Sequence, residues 1–379
     1  MTNIETLMSM LDIPSEVISE KLLILQDCVV GPAHTIMTTA EFNAIELQQL
    51  LAPLRTTPKI KLVKYFSDTL DAMSGVNFSR IALQRGTVHV SNPQLFNDPF
   101  DCLPGIDIEQ VEVGLLRSIA KYFGFEPQVE NSPERLADEL ANSLNALPEG
   151  NLPNLVSLKN SDDLFMQNHY LNMLAGALPE GRFTGQGLLA FARQQVDGFL
   201  NGVRNCRISC FSTDPLNLYM WSHYANEHRG FCVEYETDCS ALKAMGISPS
   251  TYESLFGCIY GVYYHLRRPD NTVMAVDWLT KRLDDDGIRR LYARILCSKG
   301  FNWVFESELR LIVQDQNIHD DLSFFPVRKI YIGQFMNEEA RVSILNLCVE
   351  RNVTAVEVDV SNSGYQLAER LLYKGRADE

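Results

Sequence analysis

The sequence contains no apolar run near the ~20 residues that a membrane-crossing helix requires, so a helical membrane span is not expected and no membrane partner is assigned. It is also poor in positive charge. Against 48 acidic residues stand 33 lysines and arginines, a net charge of -15 over 379 residues. Broad coating of DNA needs a cationic face that neutralises phosphates, and this balance disfavours it while leaving a local basic groove open. The opening residues Met1 to Glu5 carry no basic segment leading into an apolar stretch, so the expected location is cytoplasmic, in a protein of bacterial type. Paired cysteines are lacking as well. The nine thiols are scattered through apolar segments and odd in number, which reads as reduced and buried. Cys206 and Cys210 are spaced too widely for a zinc knuckle and no second close pair follows. His223 and His228, five apart, fall on different faces of a helix, so no metal site is expected from them. Internal repeats and low-complexity tracts are missing too.

What is present is ample material for a core, 46% hydrophobic residues, in a chain long enough for two or three units or one large domain with insertions. Residues 1–60 read as a separate helical extension. Leu7, Met10 and Leu11, then Val17, Ile18, Leu22 and Leu25, recur at helical spacing, a third helix is expected from Thr39 to Leu51, and Ala52 to Pro58 forms a linker. The extension is a candidate partner-binding or packing element. Residues 61–379 read as one α+β domain. Strands are expected at Lys61–Phe66, Thr87–Ser91, Asn205–Ser212, Gly230–Tyr235, Cys258–Tyr264, Lys329–Gly333 and Ala355–Val358. A helix ends near Arg85-Gly86, another runs from Asp277 to Ser298, and a third from Asn337 to Arg351. Between the strands, at about 105–203, four helical patterns (Val111–Tyr122, Glu134–Leu144, Leu164–Leu174 and Gly187–Leu200) form an insertion.

The segment Trp303-Val304-Phe305-Glu306-Ser307-Glu308-Leu309-Arg310-Leu311-Ile312-Val313 places two carboxylates at the mouth of an apolar run. Side chains alternate across a pleated strand, so a strand here turns Glu306 and Glu308 to one face and Ser307 to the other. Such a pair can grip a hydroxyl and orient a nucleophile together. The densest polar and aromatic cluster is Met220-Trp221-Ser222-His223-Tyr224, with His228-Arg229 close behind, and it reads as a pocket wall. Asn97, Asp98 and Asp101 lie in a loop rich in turn residues, with Pro99 fixing its exit.

Four blocks then stand together: Lys64-Tyr65; Asn97-Asp98-Pro99-Phe100-Asp101; Cys210-Phe211-Ser212 with Met220-Trp221; and Lys299 to Arg310. In order and wording they resemble the bacterial domain of unknown function 2971 family over about residues 61–360, apart from the insertion. The same blocks have a fainter resemblance to ADP-ribosyltransferases, in which an early strand offers a basic residue or histidine, a middle strand a Ser-Thr-Ser-like segment and a late strand Glu-x-Glu. The matching positions are Lys64-Tyr65, Phe211-Ser212-Thr213 and Glu306-Ser307-Glu308. The resemblance implies a small split β-sandwich that binds NAD as co-substrate, with Glu308 catalytic on the nicotinamide ribose, Glu306 directing the acceptor and Ser212 or Thr213 bracing the carboxylate. Lys64, Tyr65, Thr213, Tyr219, His223 and Tyr224 are then the cofactor-binding candidates. The chain departs from the pattern in two places. Lys64 lacks the planar fork of an arginine, so a diphosphate clamp falls to it or to Arg80, Arg207 or Arg229, and Asp214 stands where the pattern has serine.

The physical case for such chemistry is separate. Cleaving the bond between nicotinamide and ribose develops positive charge on the sugar, which a fixed carboxylate stabilises in the transition state. The expected activity is an NAD-consuming ADP-ribosyltransferase or NAD glycohydrolase, of the kind used by toxins or phage-defence effectors, with protein, nucleic acid or water as acceptor. Two alternatives are a metal-dependent nuclease built on Asn97, Asp98, Asp101, Glu306 and Glu308, and a non-catalytic nucleotide sensor. Two structural outcomes discriminate. Glu308, Ser212 and Tyr65 in one cleft favours the three-part reading; Glu308 buried in an ion pair with Arg310 or Lys299 marks it as structural.

Overall fold

A computed structural model describes residues 27–45, 61–128, 132–146, 182–313, 321–361 and 364–375. The protein belongs to the α+β class and divides into two compact units, the first comprising Met1–Asp101, Asn205–Arg268 and Cys297–Glu379, the second Cys102–Arg204 and Pro269–Leu296. The insertion is therefore discontinuous. Periodicity located its first part, whereas the return of the chain at Pro269 is a long-range event with no local signature.

The strands all belong to the first unit. In chain order they are β1 (Cys28–Val30), β2 (Ile36–Thr38), β3 (Leu62–Phe66), β4 (Thr87–His89), β5 (Arg207–Ser212), β6 (Phe231–Tyr235), β7 (Ile259–Gly261), β8 (Tyr263–His265), β9 (Ser298–Gly300), β10 (Glu308–Val313), β11 (Asp321–Ser323), β12 (Val327–Ile332), β13 (Thr354–Val360) and β14 (Leu367–Tyr373). Eight form the main sheet in the order β14-β13-β12-β6-β3-β5-β10-β7, while β2-β1-β8-β9 make a smaller sheet and β11 pairs with β4.

Three expectations need correction. Within the supposed helical extension, β1 and β2 form a hairpin whose inner strand pairs with β8, Val29 opposite His265. Three-residue strands are too short for a period of two to register, but Cys28-Val29-Val30 followed by a turn at Pro32 has strand character. The helix begun at Thr39 carries a Thr38–Glu41 capping box and ends at Asn43; the two earlier helical patterns and the linker lie outside the described residues, as does the pattern at Leu164–Leu174. The single strand expected at Cys258–Tyr264 is two, β7 in the main sheet and β8 in the small one. Val262 marks the change of sheet, its N–H donating to Glu308 O at 3.0 Å. The helix expected over Asp277–Ser298 is also two, Thr272–Leu279 and Asp285–Leu296. Lys281 takes a left-handed φ of 56° between them, and the Asp284 side chain accepts from Gly287 N to start the second.

One apolar cluster covers one side of the main sheet, with Leu62, Phe211, Val233, Leu309 and Ile330 at its centre. A second cluster gathers Val63, Tyr65, Trp221, Tyr331 and Val358. Alternate residues of β3 thus serve the two clusters, as a strand covered on both faces requires. Trp221 is fully buried, its indole N–H donates to Pro215 O at 2.8 Å, and Tyr65 meets it edge-on with centroids 5.4 Å apart.

In the second unit, helices span Ile108–Tyr122, Pro133–Asn145 and Gly185–Arg204. Asp107 and Ser132 cap the first two by accepting from the backbone three residues on. Glu112 is buried among these apolar faces and kept tolerable by Arg193 at 3.3 Å.

The main sheet is nearly severed at its middle. β3 pairs with β6 at five successive positions but with β5 at one, Val63 opposite Ser212. At the far end of β5, Ile208 exchanges both backbone hydrogen bonds with Ser91, at 2.8 and 2.9 Å. Between those two attachments the strands part.

Candidate functional site

The parting of β3 from β5 opens a cleft of about 370 Å³, within the range of small-molecule sites. Lys64 Nζ crosses the gap, donating to Cys210 O at 2.9 Å and to Ser209 Oγ at 3.0 Å, so a side chain serves a carbonyl that strand pairing leaves open. Burial lowers the Lys64 pKa, with the Cys210 thiol and Glu308 acting in the opposite sense. The cleft is lined by Lys64, Tyr65, Phe96, Asn97, Ser212 and Tyr224, and by the charged groups at its base.

Those groups are Asp101, Lys299, Glu306 and Glu308, all buried, and Asp101 and Glu308 pair with Arg310, which is buried too. Arg310 is 0% exposed and donates Nη1 and Nη2 to Asp101 at 2.8 and 2.7 Å, and Nε and Nη2 to Glu308 at 2.8 and 3.0 Å. Lys299 Nζ lies 2.5 Å from Glu306 Oε2, 3.1 Å from Glu308 Oε2 and 3.5 Å from Asp101 Oδ2. Two cations thus serve three carboxylates, and one carboxylate must bear the deficit. Burial raises the Glu308 pKa, but Arg310 and Lys299 outweigh it and hold the carboxyl well below the usual range. Glu306 bears the deficit: burial, then the charge of Glu308, push it up to about 7, although Lys299 and Tyr224 pull the other way. Burial opposes the charge on Lys299, yet Glu308, Glu306 and Asp101 together raise its pKa.

Glu306 and Glu308 do converge, but not by strand alternation. Glu306 ends a 3₁₀ turn, Phe301–Glu306, Ser307 adopts a left-handed conformation (φ 46°, ψ 52°), and the strand begins only at Glu308. Serine carries no strong signal for that conformation, so the expectation of one pleated face fails there. Convergence comes instead from the shared Lys299. Ser212 is fully buried, and its hydroxyl donates to the main-chain oxygen of Glu306 at 2.7 Å, bracing the backbone rather than the carboxylate.

Both discriminating outcomes occur together. Glu308, Ser212 and Tyr65 line one cleft, and Glu308 is also ion-paired to Arg310 and Lys299. That second outcome is the arrangement expected of a structural charge at Glu308. Glu306 Oε1 accepts from the Tyr224 hydroxyl at 2.6 Å, and Asn97 Nδ2 donates to that same hydroxyl at 3.5 Å. Tyr65 lines the cleft with its hydroxyl turned away to donate to Asp214 O at 2.6 Å.

Three cofactor candidates are not among the cleft-lining residues. Thr213 borders a smaller cavity of about 170 Å³ with His34 and Ser307. Tyr219 is 58% exposed and packs on Phe305, and His223 is exposed with Nδ1 3.0 Å from Tyr219 O. Nor do the alternative clamps line the cleft: Arg80 is paired with Asp68, Arg229 with Glu227, and Arg207 begins β5. The metal reading meets a chemical obstacle. Asp98 accepts from Phe100 N within its turn, and the space among Asp101, Glu306 and Glu308 is filled by an ammonium and a guanidinium. Among the described residues no group of three His, Cys, Asp or Glu side chains is arranged to hold a metal ion.

Arg310 and Lys299 are both ion-pair candidates for Glu308 on sequence grounds, Arg310 because two residues along a strand share a face; what the sequence does not reveal is that the same two cations also gather Asp101 and Glu306, since Lys299 arrives on the separate strand β9. Comparison with protein-family models, with curated proteins and with solved structures found no match to this chain.

Proposed function

We propose that this protein is an enzyme that cleaves the nicotinamide–ribose bond of NAD in the cleft between β3 and β5, as a glycohydrolase or an ADP-ribosyltransferase. The observation that carries the reading is the meeting of Tyr65, Ser212, Glu306 and Glu308, remote in sequence, around one cleft at the place where the main sheet parts. The resemblance to ADP-ribosyltransferases implies a small split β-sandwich holding NAD, and on this reading NAD sits where the eight-stranded sheet parts over the carboxylate pair. Glu306 carries the chemistry: its ionised form faces charge developing on the ribose and takes the proton of the attacking nucleophile, and a carboxyl poised at about 7 suits both tasks near neutrality. Glu308 and Asp101, both held by Arg310, fix Lys299, and Lys299 fixes Glu306. Lys64, half-buried in the wall of the cleft, attracts the anionic part of the dinucleotide.

The experiment is incubation with NAD, with release of nicotinamide followed by chromatography in the presence of a chelator. Glu306→Gln should lose ~10²- to 10⁴-fold in rate, the usual worth of a positioned acid or base. Undiminished release by that variant overturns the assignment. Tight NAD binding without turnover by the wild type would point instead to a nucleotide sensor.

A further inference from the structure

Both oxygens of the Glu306 carboxylate are already engaged, Oε2 by Lys299 and Oε1 by Tyr224. Glu306 is only 3% exposed, while Tyr224 is half-buried and lines the cleft. A nucleophile approaching Glu306 from the cleft side of Oε1 therefore meets the Tyr224 hydroxyl. We propose that Tyr224 is a proton relay, passing the proton of the incoming nucleophile to Glu306. The proposal rests on the reading of Glu306 given above.

The step balances. A hydroxyl nucleophile, water or an alcohol, gives its electron pair to the ribose carbon as the bond to nicotinamide breaks, and nicotinamide leaves neutral with that bonding pair. The nucleophile's proton passes to Tyr224 Oη while the proton Tyr224 held passes to Glu306 Oε1. Tyr224 is a neutral phenol before and after, and Glu306 ends protonated. Two observations fit that role. The 2.6 Å contact already points the phenol proton at Glu306, and Asn97, donating to the same oxygen from the loop after β4, steadies the orientation. Burial, and then the charge of Glu306, raise the Tyr224 pKa, so it keeps its proton at rest. The other groups around Glu306 are Lys299 from β9, Glu308 and Arg310 from β10, Asp101 from the loop and Tyr264 from β8. Lys299 is the nearest of them, and its ammonium holds Oε2 rather than Oε1.

The test compares nicotinamide release by wild type, Tyr224→Phe, Glu306→Gln and the double variant across pH 5 to 9, with Glu306 titrated in parallel by carbon-13 NMR of labelled glutamate. The phenylalanine keeps the ring and removes only the relay atom. Expected are a ~10- to 100-fold fall in kcat with little change in KM for Tyr224→Phe, a shifted Glu306 midpoint, and a double variant no slower than Glu306→Gln, since residues acting as a unit are not additive. Wild-type kcat in Tyr224→Phe overturns the relay while a dead Glu306→Gln leaves the underlying reading standing. Wild-type activity in Glu306→Gln, or no turnover by the wild type, overturns both.

Discussion

Arg310 grips Asp101 with both arms of its guanidinium, at 2.8 and 2.7 Å, and so fastens a loop 209 residues upstream to the strand that carries Glu308. Paired in this way, each side chain makes the burial of the other tolerable, and the loop that supplies Phe96 and Asn97 to the cleft is anchored at its far end.

Removing one partner should therefore be costly. Arg310→Leu leaves Asp101 and Glu308 buried with a single shared cation, and the expected loss is ~3–5 kcal/mol, the range for breaking a buried pair from one side. Urea denaturation measures it. A loss below about 1 kcal/mol would mean the network relaxes without it.

The two carboxylates should impose opposite pH dependences on stability. Glu308, depressed from its ordinary value of 4.5, contributes stability that is present above that value and is lost as pH falls below it. Glu306, raised from 4.5 to about 7, contributes stability that is complete below 4.5 and is lost as pH rises through 7. Denaturation from pH 2 to 9 should show a slope of each sign. Glu306→Gln should flatten the segment between 4.5 and 7 and leave the acid limb in place; a segment unchanged by that substitution would contradict the charge deficit assigned to Glu306.

Ser212→Ala removes the hydroxyl that donates to Glu306 O within the core. A buried carbonyl without its donor costs ~1–3 kcal/mol. Because that carbonyl precedes the left-handed Ser307, the activity proposed for the cleft, read as nicotinamide release, should fall as well. Thermal denaturation and the NAD assay read the two effects separately, and a variant with wild-type values in both would remove Ser212 from the site.

Gly230→Ala should fail for a steric reason. An added Cβ would lie 2.0 Å from Phe66 O, at the end of β3, and 3.0 Å from Ala225 O, in the turn that leads into β6, both main-chain atoms. Overpacking of this kind costs ~1–3 kcal/mol or more, so reduced soluble yield and a lowered melting temperature are expected; an unchanged melting temperature would show that the turn can move aside.

Elements with long, strong patterns were legible in the sequence. The helix Glu338–Arg351, the strands around Lys64, Ser212 and Val233, and the helix end at Gly86 follow from period, β-branched content and terminal residues. The loop at Asn97 to Asp101 was legible as an ordered turn, with Asp98 capping its own backbone. Illegible were features set by distant partners. Nothing near Val262 reveals that two sheets divide there, and nothing near Lys299 reveals three carboxylates around it. The site's membership was partly visible because Lys64, Tyr65, Ser212, Tyr224, Glu306 and Glu308 stood out by type and order. The roles were not, because which carboxylate is neutralised depends on where Arg310 and Lys299 arrive.

The span of β5 between Ser212 and Ile208 has one further consequence. Two blocks of the main sheet, β14 to β3 and β5 to β7, meet through the Val63 and Ser212 pair and through the reach of one lysine. Backbone ladders lock register residue by residue, whereas a four-carbon side chain ending in a rotatable ammonium does not. The seam is thus the softest line across an otherwise continuous sheet. Lys64 bridges that line to Cys210 O and Ser209 Oγ, so shortening this one side chain removes the bridge while leaving the residues of the cleft floor as they are.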